Sequence, residues 1–360
     1  MDFLLQSLGR VDMERKDLRS FTEEEMIGIV QEYGEKAFRG KQLFEWIHKK
    51  QVTEFSQITN LSKKFLEQLS ENYNISGVEI VKKQVSKKND TAKYLFSMAD
   101  GSLVESVWMK YHHGNSVCIS SQVGCRMGCT FCASTLSGLK RSLTAGEMLS
   151  QIYEIQRETG ERVSNVIVMG MGEPLDNYDN LLRFIRLLSH DKGINISQRN
   201  ITVSTCGLVD QIRRLMEEKL QITLAISLHA PNDEIRRQTM PVAKKYSIEE
   251  IFSVCREYTE YTGRRITFEY SMIDGVNDGK AHALELASRC RGLNCHINLI
   301  PLNEVKERKC HRSKEENIRD FKITLEKNHT NVTIRREMGS DIDAACGQLR
   351  NQYMEQTNSD

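Results

Sequence analysis

The sequence predicts an α/β protein built on a partial (β/α)6 TIM-like barrel, preceded by a helical region and a small β extension. Three observations predict it. From about residue 116 onward, short runs of apolar and β-branched residues alternate with longer segments of helical period. Strands that alternate with helices imply parallel pairing through right-handed crossovers. Before that point the period changes twice: residues 1–80 space their apolar residues as helices do, and residues 78–110 alternate with period two.

The helical region contains FTEEEMIGIVQEYG (21–34), GKQLFEWIHKKQV (40–52) and LSKKFLEQLSENY (61–73). Within it, residues 34–51 interleave basic residues with Phe38, Phe44 and Trp46. That pattern fits a solvated basic face or a nucleic-acid contact surface, and the residues alone leave both open. VEIVKKQVSKK, AKYLFSM and SLVESVWMKY then read as a small antiparallel sheet, with Asp100-Gly101 as a hairpin turn and Lys82, Lys83, Lys87, Lys88 and Lys93 making the region basic. Six strands follow: SVCISS (116–121), NVIVMG (165–170), NITVST (200–205), QITLAISL (221–228), RITFEYSMI (265–273) and CHINLIPL (295–302). Helices are expected between them near 145–159, 178–189, 208–219, 247–262 and 279–290, with a further one near 314–328. The stretch 332–352 begins as a strand and ends as a loop carrying Cys346. The expected division is 1–80 helical, 81–110 β extension, 111–335 partial barrel and 336–360 tail.

Composition narrows the function classes. Lys and Arg number 50 against 49 Asp and Glu, so net charge does not announce a nucleic-acid binder, although local patches outweigh the sum. No run approaches the length of a membrane span, and the N-terminus lacks the basic and apolar regions of a secretory signal. A cytoplasmic location with no membrane partner is therefore expected, and the ten cysteines should be reduced thiols or metal ligands.

Chemistry concentrates in GCRMGCTFCAS, Gly124–Ser134, where Cys125, Cys129 and Cys132 form C-x3-C-x2-C. A structural zinc takes four ligands. Three thiolates suit a [4Fe–4S] cluster that keeps one iron open for the amine and carboxylate of a small molecule. A zinc site with its fourth ligand elsewhere remains the alternative. The loop follows the first strand of the β/α repeat, at the end where barrels place their active sites, and Gly124 and Gly128 permit a tight backbone. Cys118 and Cys346 read on composition as ordinary buried cysteines, though Cys346 sits in a polar, Gly-containing tail; Glu105 reads as a solvated strand residue. Cys206, Cys255, Cys290, Cys295 and Cys310 have no evident role.

C-x3-C-x-Phe-C resembles the motif of the radical S-adenosylmethionine (SAM) enzymes. Together with CISSQVGCRMGCTFCAS, VMGMGEPLDN, ISLHAPNDEIR and DIDAACGQL, the chain from about 20 to 350 resembles the RlmN/Cfr family of radical SAM RNA adenine methyltransferases. The resemblance implies a helix-hairpin-helix-like RNA-binding region at the N-terminus and a radical SAM type of barrel. It implies that Cys125, Cys129 and Cys132 hold one [4Fe–4S] cluster with SAM on the fourth iron. It places Gly172, Glu173, Ser204, Ser227, Leu228, His229 and Asn303 on SAM. In that chemistry Cys346 accepts a methyl group from one SAM, and a 5′-deoxyadenosyl radical from a second SAM takes a hydrogen from the methylated sulfur. The carbon radical adds to C2 of an adenine, Glu105 removes the C2 proton, and Cys118 resolves the protein–RNA crosslink by a disulfide with Cys346. The implied substrates are an adenosine in the peptidyl transferase centre of 23S rRNA, before full ribosome assembly, and the adenosine 3′ to the anticodon of certain tRNAs. The lysine-rich strands, Lys140 and Arg141 are expected RNA grips. A flavodoxin or ferredoxin would supply electrons, and the chain is expected to be monomeric. A C8-methyltransferase of the same rRNA adenine is the nearest alternative. A radical SAM enzyme of small molecules or proteins, a zinc-stabilised RNA-binding module and an iron–sulfur electron carrier are the readings from other classes.

Overall fold

The computed structural model describes residues 15–75, 77–112, 114–336, 341–342 and 347–357. Cys346 lies outside them.

The N-terminal helices form as the periodicity predicts. α1 (Glu23–Glu32) starts at a reciprocal cap between Thr22 and Glu25 and buries Met26, Ile29 and Val30. α2 (Phe38–His48) buries Leu43, Phe44 and Ile47, and α3 (Lys63–Asn72), capped by Ser62, buries Phe65, Leu66 and Leu69. Two short parallel strands, β1 (Lys16–Asp17) and β2 (Tyr73–Asn74), tie the ends of this region together. Phe44 is therefore core, whereas Phe38 is exposed and Trp46 lies under the Lys50 ammonium.

The main sheet has ten strands and two regimes. β3 (Glu79–Val85), β4 (Thr91–Ser97) and β5 (Leu103–Tyr111) form an antiparallel meander whose last strand pairs antiparallel with β6 (Gly114–Ile119). From β6 the order continues through β9 (Val163–Val168), β10 (Ile201–Thr205), β11 (Thr223–Ser227), β12 (Ile266–Met272), β13 (Cys295–Pro301) and β14 (Val332–Ile334), all parallel. All six expected strands of the β/α repeat form, and β14 adds a seventh parallel one. The β extension is no separate sheet, as expected from 81–110, but the continuation of the main one. Interstrand pairing cannot be read from a chain in which period two and long apolar runs merely follow each other.

Helices α4 (Ala145–Thr159), α5 (Tyr178–Ser189), α6 (Val209–Glu217), α8 (Ile248–Thr262), α9 (Lys280–Cys290) and α10 (Glu315–Lys327) form within a few residues of their expected bounds. The seven-residue α7 (Asp233–Thr239) is too short to show a period. A hairpin of β7 (Gln122–Gly124) and β8 (Leu139–Ser142) also went unread, for the same reason. The tail corrects the expected loop: residues 348–357 form α11 (Gln348–Thr357). Its sequence is weakly amphipathic, and its N-terminal cap comes from Glu105, far away in the chain. Among the described residues no helix is long and apolar enough to cross a membrane.

Candidate active site

The β7–β8 hairpin closes the base of the three-cysteine loop, pairing Gly124 with Leu139. Gly124 has φ 79°, and a Cβ there would lie 1.9 Å from the carbonyl oxygen of Gly138, so only glycine fits; Gly128 has φ 74°. The loop hangs over the C-terminal ends of the parallel strands. Together they enclose a cavity of about 260 Å³ lined by Cys125, Cys129 and Cys132.

Burial pushes the Cys125 thiol up to about 12 and raises Cys129 and Cys132 as well, with the neighbouring thiols adding to the rise in Cys125 and Cys129. Such thiols ionise only beside a cationic partner. No three or more His, Cys, Asp or Glu among the described residues close around a single ion. A cubane takes its thiolates at separate corners, which this loop can supply. Two arginines border the thiols. Arg236 is fully buried, donating to the carbonyls of Cys206 (2.6 Å) and Leu228 (3.2 Å), with Nη1 left without a partner. Arg308 donates to the Cys132 carbonyl (3.2 Å) and the Thr135 hydroxyl (2.7 Å), with Nε left over. A buried and a half-buried guanidinium, each with a spare donor, fit an anionic thiolate cluster. The residues present therefore fit a [4Fe–4S] group.

Of the residues expected to contact SAM, Gly172, Glu173, Ser204, Ser227, His229 and Asn303 line this cavity. Leu228 does not line it; its side chain is buried, and its backbone N–H donates to the Glu269 carbonyl at 3.1 Å. Glu173 accepts from the backbone N–H groups of Cys206 (2.8 Å) and Leu175 (3.0 Å), while burial raises its carboxyl above the usual range. The Ser204 and Ser227 hydroxyls meet at 3.2 Å. His229 adopts φ 55°, rare for a non-glycine residue. Its Nδ1 accepts from the Ser271 N–H at 2.9 Å, and burial, reinforced by Arg236, holds the ring down at about 3. The imidazole is thus neutral, with its proton on Nε2. Sequence reasoning missed Glu269, which lines the same cavity, accepts from Asn298 at 2.9 Å and is raised by burial against the pull of Arg335. Its only signal was an acidic residue inside an otherwise apolar strand.

Glu105 and Cys118 do not line the cavity. Register explains their own grouping: Lys93 pairs with Val107, and Val107 with Cys118, so these residues and Glu105, two positions before Val107, share one face of the sheet. Glu105 is 3% exposed and Lys93 is 0% exposed, with Nζ 3.0 Å from Oε2. The expectations of a solvated Glu105 on pattern and of Lys93 as an RNA grip are both corrected. Burial raises the Cys118 thiol, opposed by Arg335 and Lys93. Arg141 is likewise occupied, paired with Asp100 and Glu147 at 2.8 and 2.7 Å, whereas Lys87, Lys88 and Lys140 are exposed.

Comparison with known proteins gives concordant results. Residues 119–287 match the family model of the Radical SAM superfamily, and residues 16–75 that of the Ribosomal RNA large subunit methyltransferase N-terminal domain. A protein of Lachnospira eligens named "Probable dual-specificity RNA methyltransferase RlmN" is 60% identical over 339 residues, covering 94% of this chain and 97% of that one. A protein of the same name from Lachnoclostridium phytofermentans is 57% identical, covering 96% and 97%. The crystal structure of a radical SAM methyltransferase from Sphaerobacter thermophilus superposes with TM-score 0.89 at 41% identity, over 92% of this chain and 98% of that one. The chain belongs to the RlmN family of dual-specificity RNA methyltransferases, within the radical SAM superfamily.

Proposed function

We propose that this RNA methyltransferase acts on C2 of adenine, in 23S rRNA and in tRNA, through a methyl group carried on Cys346. The observation that carries the reading is the adjacency of two compartments. One is the cavity with the three thiols and the neutral His229; the other is the sheet face with Glu105 and Cys118, against which the segment just after Cys346 is bonded. When bound, the cluster and SAM supply a one-electron cleavage that yields a 5′-deoxyadenosyl radical. Cys125, Cys129 and Cys132 hold the cluster, with Arg236 and Arg308 offsetting its charge. Gly172, Glu173, Ser204, Ser227, His229 and Asn303 bind and orient SAM. Cys346 acts first as a thiolate nucleophile. Glu105 takes the C2 proton, and Cys118 closes a disulfide with Cys346 to release the base.

The domain division follows the same reading: an N-terminal RNA-binding region over 1–80, a β extension over 81–110, a partial barrel of the radical SAM type over 111–335 and a catalytic tail over 336–360. Lys87, Lys88 and Lys140 are the exposed cations for RNA phosphates, which makes binding salt-dependent. A flavodoxin or ferredoxin is the electron donor, and the protein works as a monomer. The test is anaerobic reconstitution with iron and sulfide, then SAM, reductant and an unmodified 23S rRNA fragment, with nucleoside mass spectrometry. Formation of 2-methyladenosine, lost in Cys346→Ala, is expected. An 8-methyladenosine product, or methylation that survives Cys346→Ala, overturns the reading.

A further inference from the structure

Glu105 holds three donors. Its Oε2 accepts from the Gly347 N–H at 2.6 Å and lies 3.0 Å from Lys93 Nζ, and its Oε1 accepts from the Arg350 N–H at 2.7 Å. A carboxylate offers about four acceptor sites, so three of them are occupied. Two of the donors belong to the first turn of α11, which makes Glu105 the cap of that helix from another part of the chain. One of these donors is Gly347, the residue after Cys346 in the chain. Gly347 is seated as closely on its other side: at φ 87°, a Cβ would lie 2.8 Å from the backbone N of Ser134 and 2.9 Å from the Ala133 carbonyl carbon. The residue after Cys346 is thus clamped between Glu105 and the end of the three-cysteine loop.

We propose that Lys93 is a positioning residue of the methyl-transfer reaction: it fixes Glu105 as the cap of α11 and thereby seats Gly347, the residue after Cys346, against the three-cysteine loop. This rests on the proposed roles of Cys346 and Glu105. It also adds a constraint, because a capping carboxylate has little capacity left for a substrate proton. Unseating the tail frees Oε1, and the oxygen remaining on Lys93 keeps the side chain in place. Seating of the tail and proton removal by Glu105 are then successive uses of one carboxylate. Lys93 could hold Glu105 for both because β4 and β5 are adjacent and hydrogen-bonded, so neither group drifts when the tail leaves.

The test is hydrogen–deuterium exchange of the full chain without RNA or SAM, comparing wild type with Lys93→Met, Lys93→Arg and Glu105→Gln. Loss of a helix cap is worth roughly tenfold in local opening, so residues 347–350 should exchange about tenfold faster in Lys93→Met and Glu105→Gln. Lys93→Arg should restore most of the protection. Amides of β5 report whether the sheet survives. Wild-type exchange of the tail in Lys93→Met, with β5 protected, overturns the proposal. So does equal loosening in Lys93→Met and Lys93→Arg, which would make side-chain shape rather than charge the determinant. If Lys93→Met exposes β5, Glu105→Gln decides alone: a tail as protected as wild type overturns it. Because no methyl transfer is read, failure of RNA methylation with an intact latch would sink only the proposed function.

Discussion

His48 and His229 are both buried, and burial holds each ring at about 3. For His48 the second cause is the buried Arg19 guanidinium, and the ring Nδ1 lies 2.9 Å from the Tyr153 hydroxyl. Both histidines fold neutral, whereas the unfolded chain protonates them near 6.5. The lowered ring therefore favours folding above the unfolded value, and this contribution is lost as pH falls from about 6.5 toward 3. Lowering the pH from 7 to 5 costs about 2 kcal/mol per histidine by proton linkage. For a chain of this length, unfolding entropy makes that about 2–3 °C of melting temperature each. His48→Gln removes one titration while keeping a polar group beside Tyr153. Differential scanning fluorimetry of the unloaded protein at pH 7 and pH 5 should show the variant losing about 2–3 °C less than wild type over that interval. An equal loss in both would refute the assignment of His48 as a neutral core residue. The same physics keeps His229 neutral throughout the assay range, so its Nε2–H stays available as a donor.

Two further outcomes follow from the site and its base. Glu173→Gln turns a carboxylate oxygen that accepts from Cys206 or Leu175 into a donor facing a donor; at about 1–3 kcal/mol, SAM affinity of the reconstituted protein should fall roughly tenfold or more by calorimetry. An unchanged affinity would remove Glu173 from the SAM site. Arg141→Met breaks the pairs to Asp100 and Glu147 that brace β8, and should lower the melting temperature by about 2 °C. Arg141 holds the Asp100 carboxyl well below its usual range, so this stabilisation is present above about 4. The wild type's advantage should therefore shrink as pH falls below that value, and an advantage that grows instead would contradict the pairing.

How much could be read in the sequence depended on the range of the interaction. The six parallel strands of the β/α repeat and their helices were legible because each carries its own period. So were the three thiols, because C-x3-C-x2-C is a local statement about one loop. The two short strands that pinch this loop were not, since three or four residues carry no period. Glu105 shows a sharper limit. Its strand alternates like any half-exposed one, and nothing nearby in the chain announces that Lys93 pairs with it or that Gly347 and Arg350 donate to it. Lys93 looked like one of several surface lysines for the same reason. The tail helix was invisible because its cap comes from more than two hundred residues upstream.

The antiparallel strands join the parallel sheet at β6, at the border of the segment shared with the superfamily. The superfamily match begins at residue 119 and ends at 287, and the N-terminal family match ends at 75. Glu105, Cys118 and Cys346 all fall outside both. Glu105 lies on one of the three antiparallel strands that border the parallel sheet, Cys118 on the strand they join, and Cys346 in the segment after the last strand. Because the antiparallel strands continue the hydrogen bonding of the parallel ones, Glu105 and Cys118 stand on the same continuous sheet whose other strands line the three-cysteine cavity, so neither group depends on a separate domain for its placement.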